Sequence, residues 1–148
     1  YAFNGLHAAF DLTIDQGNGA DGACFGLVPS STAVTKLGTV GGGMGWSGIG
    51  GTAVCFDTYL NSGEPSANFV GIRTNAGYTS TSTAIPALRN ATNHVDITVT
   101  GTTLTVKVAG VQVLSGTVTP TSGRLLFSAG TGGLTDRHMI TNAAMTIG

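Results

Sequence analysis

Charged residues are scarce in this chain of 148 residues, at 9% of the sequence. Coiled coils and charged disordered tails are excluded, because both need many charged side chains. The six lysines and arginines are dispersed, and the formal net charge is −1. Since binding to nucleic acid depends on clustered basic residues that face the phosphates, we expect no nucleic-acid partner.

Long apolar runs are lacking as well. No stretch is long enough to predict a membrane span, and the first residues do not have the pattern of a signal peptide. Lysine is rare, whereas threonine, serine and glycine are abundant, a composition that is typical of secreted bacterial modules. We therefore expect a secreted, extracellular protein.

Cysteine occurs only twice, at Cys24 and Cys55. Both lie in predicted strands. A disulfide between neighbouring strands would close a loop of about 30 residues and could add about 3 kcal/mol of stability. Two buried free thiols, which behave as small apolar residues, are the alternative. The sequence leaves both open.

Glycine is plentiful, with 24 residues, and occurs with many threonines and valines. This combination predicts short strands joined by tight turns. Val95, Ile97 and Val99 alternate with polar residues, and the pattern continues from Leu104 to Val108, which predicts an antiparallel meander with one solvent-facing side. Further strands are predicted at 7–14, 22–29, 52–57, 68–74, 124–129 and 138–147, whereas 78–84 is ambiguous. We expect residues 1–148 to form a single all-β domain, a sandwich or barrel.

One stretch, Thr52 to Ile72, combines a strand with a polar loop. Alternation places Cys55 and Asp57 on one face of the strand. The loop that follows carries Tyr59, Asn61 and Glu64, so several oxygen donors lie close to one aromatic ring. Hard cations prefer such oxygens, and a sugar needs a polar edge beside a flat apolar face. The stretch therefore predicts a metal and ligand loop of a carbohydrate-binding sandwich.

Several motifs occur in an order that resembles the L-type lectins, the legume-lectin superfamily with the concanavalin A-like jelly-roll fold. The stretches that carry the resemblance are Gly19-Ala20-Asp21-Gly22 with the strand ending at Pro29, Gly41-Gly42-Gly43-Met44-Gly45, Val54 to Asn61, Val70-Gly71-Ile72, and Phe127-Ser128-Ala129 with its glycine loop and His138. They cover most of the chain. The resemblance implies two antiparallel sheets, shortened at the N-terminus, and a carbohydrate-binding function.

The resemblance also implies roles for particular residues. Asp21, preceded by a cis peptide bond, would accept hydrogen bonds from sugar hydroxyls, and Asn61 would donate from its amide. Gly42 or Gly43 would offer a backbone N–H, and the match does not decide between them. The ring of Tyr59 would stack under the sugar, although a place at the edge of the core is as reasonable. The loop from Gly132 to Arg137, and in particular Gly133 and Leu134, would set which sugar fits.

The same resemblance implies a calcium ion held by Asp57, the Tyr59 carbonyl, Asn61 and Glu64. Family members with a second, transition-metal site have a glutamate where this chain has Cys55, and a histidine where it has Phe69. Both ligands are replaced, so we expect no transition metal. Members of the family often associate through sheet edges or flat back sheets, which makes a homo-oligomer an alternative to a monomer.

Acidic residues are too few for the hydrolases that share this fold. A glycosidase needs two carboxylates that flank the scissile bond. Here Glu64 is the only glutamate, and the six aspartates are spread along the chain. We therefore expect a sugar-binding protein and no catalysis. A sandwich that has lost its sugar site, or less favourably a degenerate hydrolase, is the alternative.

Overall fold

In the part of the chain that the structure describes, ten strands form two antiparallel sheets. The computed structural model of the chain describes residues 5–119 and 122–148. The strands are β1 (Gly5–Asp15), β2 (Gly22–Pro29), β3 (Thr52–Asp57), β4 (Phe69–Thr74), β5 (Gly77–Ser82), β6 (Ala91–Thr100), β7 (Thr103–Val108), β8 (Val111–Thr117), β9 (Gly123–Gly130) and β10 (Arg137–Ile147). The only helical element in the described residues is one turn of 3₁₀-helix at Gly41–Gly43. No helix in these residues could cross a membrane.

The two sheets have five strands each and pack face to face. The back sheet has the order β10-β1-β6-β7-β8, and the front sheet has the order β5-β4-β3-β2-β9. Both sheets join strands from distant parts of the sequence, since β10 pairs with β1 and β9 pairs with β2. The all-β prediction and its jelly-roll architecture are confirmed. The ambiguous segment 78–84 contributes most of β5.

Alternating apolar residues build the core between the sheets. In β1 the buried set is Leu6, Ala8, Phe10, Leu12 and Ile14. Their partners come from both sheets, and four phenylalanines pack together at the centre, with the ring of Phe10 5.0 Å from that of Phe127 and 5.9 Å from that of Phe25. Because every second residue of these strands points inward, the period-two patterns seen in the sequence set which face is buried.

A second apolar cluster covers the outer face of the front sheet. It joins Cys24 and Val28 of β2 and Ala53 and Cys55 of β3 to Met44, Trp46 and Ile49. Trp46, the only tryptophan in the sequence, is completely buried in this outer cluster. Its burial anchors the segment between β2 and β3 on the sheet and holds the glycine turn Gly41–Gly43 at one end of it.

Candidate functional site

A groove of about 480 Å³ lies where three loops meet at this end of the front sheet. The loops follow β1, β3 and β9, and the glycine turn Gly41–Gly43 forms one side. The residues that line the groove are Ala20, Asp21, Gly41, Gly42, Tyr59, Asn61, Gly132, Gly133 and Leu134. The structure therefore brings together most of the predicted site, although these residues are far apart in the sequence.

Asp21 supplies the one charged side chain that lines the groove. The Ala20–Asp21 peptide bond is cis, as expected. The backbone of Asp21 is fixed on both sides, since its N–H donates to the Gly130 carbonyl at 2.9 Å and its carbonyl accepts from the Thr58 N–H at 2.9 Å. Its side-chain Oδ2 is buried and has no hydrogen-bond partner within the described part of the chain. A buried carboxylate oxygen without a donor is costly, so this atom is suited to a ligand that donates.

Asp21 is 5% exposed. Burial raises the pKa of its carboxyl, and the nearby negative charge of Glu64 raises this pKa further. Both effects favour a ligand or an ion that brings donors or positive charge to this position.

Gly42 and Gly43 of the glycine turn have different surroundings. Gly42 lines the groove, and a Cβ built on it would come within 2.9 Å of Nδ2 of Asn61. The N–H of Gly43 donates to the Val40 carbonyl at 3.2 Å, and a Cβ there would press against the Thr39 side chain. Of the two glycines, Gly42 is the one that lines the groove.

The loop after β3 forms the opposite side of the groove. Tyr59 is 41% exposed. Glu64 organises the loop, because its Oε2 accepts hydrogen bonds from the Asn61 backbone N–H at 2.7 Å and from Asn61 Nδ2 at 3.2 Å. Asn61 Nδ2 also approaches the Tyr59 carbonyl at 3.5 Å. The Asn61 amide is therefore held in one orientation at the groove.

The loop that contains Gly133 and Leu134 is tied to the turn after β1. Asn18 accepts from the Thr135 N–H through Oδ1 at 2.8 Å, and its own N–H donates to the Thr135 carbonyl at 2.7 Å. The next residue, Asp136, forms an ion pair with Arg89. These contacts place Leu134 on the wall of the groove.

Asp57 lies beneath the groove and is completely buried. Its Oδ1 accepts from the Tyr59 N–H at 3.1 Å, and its Oδ2 accepts from the Tyr78 hydroxyl at 3.0 Å. Burial raises the pKa of Asp57 to about 7. The Tyr59 hydrogen bond opposes that shift, the charge of Glu64 adds to it, and Tyr78 and Arg73 lower the pKa to a smaller extent.

The predicted calcium ligands have the right chemistry for one hard cation. Asp57, Glu64, the Asn61 amide and the Tyr59 carbonyl are all oxygen donors, as Ca²⁺ prefers. Glu64 raises the pKa of both Asp57 and Asp21, so the carboxylates repel one another at this site. Nonetheless, the described residues contain no group of three or more histidines, cysteines or acids that could hold a metal. The donor set fits a single ion bound by two carboxylates and neutral oxygens.

Cys55 and Phe69, where the resemblance to the L-type lectins would imply transition-metal ligands, make other contacts. Cys55 forms a disulfide with Cys24, its direct neighbour across β2 and β3, with a Cα–Cα distance of 4.1 Å. The ring of Phe69 packs edge-on against that of Tyr78, with the centroids 5.1 Å apart. The side of Asp57 that faces these residues is thus filled by a disulfide and two aromatic rings.

Arg73 and Tyr78 were missed as site residues in the sequence. Arg73 lies near the end of β4, and in the sequence it resembles an ordinary polar residue of a strand. Alternation places it on the same face as Phe69 and Gly71, which is the face that carries Asp57 in β3. The position of Arg73 on this face, two and four residues from Gly71 and Phe69, was the feature of the sequence that could have identified it. Tyr78 gave no such signal, because its pairing with Arg73 depends on a register shift between Ile72 and Arg73.

His138 lies in β10, within the strand predicted at 138–147. Its Nε2 is buried and has no hydrogen-bond partner in residues 5–119 and 122–148. Burial lowers the pKa of His138, while the charge of Asp136 partly opposes that shift. Asp136 is bound to Arg89, so the two residues do not form an acid–base pair.

Comparison with solved structures identifies the fold. The basic winged bean lectin with Tn-antigen matches with a TM-score of 0.79 and 23% identity over 95% of this chain and 69% of the lectin. The exoplasmic/lumenal domain of VIP36, in a form bound to Ca²⁺ and Man3GlcNAc, matches with a TM-score of 0.74 and 17% identity over 97% of this chain and 68% of that domain. The chain has the legume-lectin fold.

A galectin has a less similar structure, and the searches by sequence found no match. The Caenorhabditis elegans galectin LEC-6 is more distant, with a TM-score of 0.51 and 15% identity over 97% of this chain and 83% of the galectin. No family model and no curated protein matches the sequence. At these identities the likeness concerns the fold alone, so the function has to be argued from the groove.

Proposed function

We propose that the protein is a lectin or carbohydrate-binding module that binds a neutral sugar in the groove. The observation that carries the proposal is the buried, unpartnered Oδ2 of Asp21, in a groove that Gly42, Tyr59 and Asn61 also line. Asp21 would accept from sugar hydroxyls, while Gly42 and Asn61 would donate. The half-exposed ring of Tyr59 and the side chain of Leu134 would contact the apolar C–H face of the sugar.

The charges at the groove favour a neutral ligand. The only charged lining residue is an aspartate, and Glu64 lies close enough to raise its pKa. Sugars that carry carboxylate, sulfate or phosphate groups would be repelled by this pair. Neutral sugars provide hydroxyl donors for Asp21 without that penalty.

We expect one calcium ion to be held by Asp57, the Tyr59 carbonyl, Asn61 and Glu64. The ion would supply positive charge among carboxylates that otherwise repel one another. Because Glu64 holds Asn61 by hydrogen bonds and its charge acts on Asp21, binding of the sugar should depend on the ion. That some solved structures of this fold are described as bound to Ca²⁺ supports this expectation.

The groove offers no pair of carboxylates for glycoside hydrolysis. The two catalytic carboxyl groups of glycosidases must both reach the scissile bond. Asp21 lines the groove, whereas Asp57 is completely buried beneath it and is bound to Tyr59 and Tyr78. We therefore propose binding without catalysis. Release of reducing sugar from a polysaccharide, abolished in the Asp21→Ala variant, would contradict this.

An extracytoplasmic location fits the buried disulfide between Cys24 and Cys55, since such bonds form and persist in oxidising compartments. The VIP36 domain, which has the same fold, is described as exoplasmic/lumenal. Detection of the native protein outside the cytoplasm, by fractionation of its source cells, would test this part of the proposal.

A glycan array, run with calcium and then with a chelator, tests the proposed function. We expect binding to neutral glycans that is lost in the chelator. Titration calorimetry with the best glycan then compares the parent with Asp21→Ala, which should lose binding without losing stability. Asp96→Ala, on the outer face of the back sheet, is the control and should bind like the parent. If no glycan binds, or if Asp21→Ala binds as tightly as the parent, the groove is not a sugar site.

A further inference from the structure

The guanidinium of Arg73 lies between two aromatic rings on the outer face of the front sheet. Its Cζ is 4.9 Å from the centroid of the Tyr78 ring and 5.7 Å from that of Trp46. Arginine is well suited to such a place, because its planar, permanently charged group stacks on aromatic faces and still donates at its edges.

The edges of this guanidinium hold the glycine turn. Nη1 donates to the Gly42 carbonyl at 3.2 Å, and Nη2 donates to Oγ of Ser47 at 2.8 Å. Both acceptors belong to the segment between β2 and β3, and Gly42 lines the groove. Arg73 therefore fastens the wall of the groove to β4.

Tyr78 links the same arginine to the acidic loop. Its ring lies under the guanidinium, and its hydroxyl donates to Oδ2 of Asp57 at 3.0 Å. Asp57 in turn accepts from the N–H of Tyr59. Because burial raises the pKa of Tyr78, its hydroxyl remains a donor throughout the physiological range. A continuous chain of contacts thus runs from Gly42 through Arg73, Tyr78 and Asp57 to Tyr59.

We propose that Arg73 is a positioning residue of the groove, a built-in cation that holds the Gly42 wall and, through Tyr78 and Asp57, the Tyr59 wall at a fixed separation. It lies on the face of the front sheet that also carries Cys55, Asp57 and Phe69, and it supplies permanent positive charge there. This role rests on the proposed sugar binding, since it is the groove that Arg73 keeps in shape.

The experiment compares two variants of Arg73 with a matched arginine. Arg73→Met keeps the length and apolar stem of the side chain but removes the charge, and Arg73→Lys keeps the charge but removes the planar fork. Arg124→Met is the control, because Nη2 of Arg124 also binds backbone carbonyls of a loop, those of Ser30 and Thr32, at a different cavity. Tyr78→Phe is a milder variant that keeps the ring and removes only the hydrogen bond to Asp57.

Two readouts separate a positioning role from a general loss of stability. The first is the affinity for the best glycan, measured by calorimetry below the unfolding transition. We expect it to fall about tenfold or more in both Arg73 variants, because charge-assisted hydrogen bonds with a fixed geometry are lost. It should fall less in Tyr78→Phe and remain unchanged in Arg124→Met.

The second readout needs no sugar. Amide hydrogen exchange should become faster in residues 39–47 of the Arg73 variants, whereas Arg124→Met should affect residues 30–36 instead. If no glycan binds the parent but exchange at 39–47 rises, the proposed function fails and the role of Arg73 in holding the wall stands. If the parent binds sugar and Arg73→Lys binds equally well, or if exchange at 39–47 is unchanged in Arg73→Met, the role of Arg73 is wrong.

Discussion

Arg89 holds the carboxylate of Asp136 through two hydrogen bonds, from Nε to Oδ2 at 2.7 Å and from Nη2 to Oδ1 at 3.0 Å. The Asp136 side chain has no solvent exposure, and Arg89 also donates to the Gly17 carbonyl at 3.1 Å. The pair joins the turn after β1 to the loop that carries Leu134. The Arg89–Asp136 pair does not line the groove itself, but it fixes the loop whose Leu134 forms one wall.

Replacing Arg89 with methionine should destabilise the protein strongly. The variant leaves the Asp136 carboxylate buried without this partner, and a buried polar group left unsatisfied in this way costs about 1–3 kcal/mol. Arg137→Met is the matched control, since Arg137 makes the same two-pronged contact to Asp15 at 2.8 Å but on the surface. Urea unfolding of both variants checks the difference. Equal losses of stability would contradict the prediction.

Removing both cysteines should also lower stability, by a different mechanism. The disulfide joins residues 31 positions apart and restricts the unfolded chain. A loop of this length predicts a loss of about 3 kcal/mol in the double variant Cys24→Ala/Cys55→Ala. Alkylation of the unfolded parent protein without reductant should label no thiol. Labelling of both cysteines under these conditions would show that the bridge is not formed.

Most of the strands could be predicted from the sequence, because a sheet with one buried face imposes period-two alternation. Val95, Ile97 and Val99 in β6 are all buried, as their spacing predicted. β5 was ambiguous, because its Gly-Tyr-Thr-Ser-Thr-Ser sequence contains no apolar alternation. The pairing of β9 with β2 and of β10 with β1 could not be derived from local patterns, since it joins strands that lie far apart in the sequence, such as Gly22 with Gly130 and Leu6 with Ile147.

Some residues of the site could be identified from local sequence motifs, whereas others depend on contacts between segments that are distant in the sequence. Asp21, Gly42 and Asn61 belong to short motifs whose order resembles a known family, and these residues line the groove. Arg73 and Tyr78 act through contacts with residues of other strands and of the glycine turn. Their role depends on a bulge and on the packing of Trp46, neither of which leaves a motif in the sequence.

Asp57 should make the stability of the metal-free protein depend on pH. Its pKa is raised by burial from 3.8 to about 7 in the folded protein. Between these two values the unfolded chain has lost this proton while the folded protein keeps it, so the free energy of unfolding falls as the pH rises. Above the folded pKa the contribution no longer changes. Asp57→Asn should lack this dependence.

The comparison is made by urea unfolding of the parent and Asp57→Asn in the presence of a chelator, at several pH values between 4 and 8. Other groups titrate in this range, so the difference between the two proteins is the relevant quantity. Saturating calcium should abolish or reverse the slope of the parent, because the ion favours the ionised carboxylate. A parent and variant with parallel profiles in the chelator would contradict the assignment.

Gly132→Ala should block the groove without unfolding the protein. A Cβ at this position would lie 3.4 Å from Oδ2 of Asp21 and 3.6 Å from Cα of Gly41, which are ordinary contact distances. The methyl group would stand where a sugar hydroxyl has to reach the unpartnered oxygen, so we expect affinity to fall about tenfold or more, the loss that corresponds to one hydrogen bond to a charged group. Gly133→Ala is the comparison, because its Cβ would meet no atom within 4 Å and so would not crowd Asp21. Calorimetry with the best glycan, together with thermal unfolding, measures both effects. If Gly132→Ala bound the glycan like the parent, the sugar would not approach Asp21 from this side of the groove.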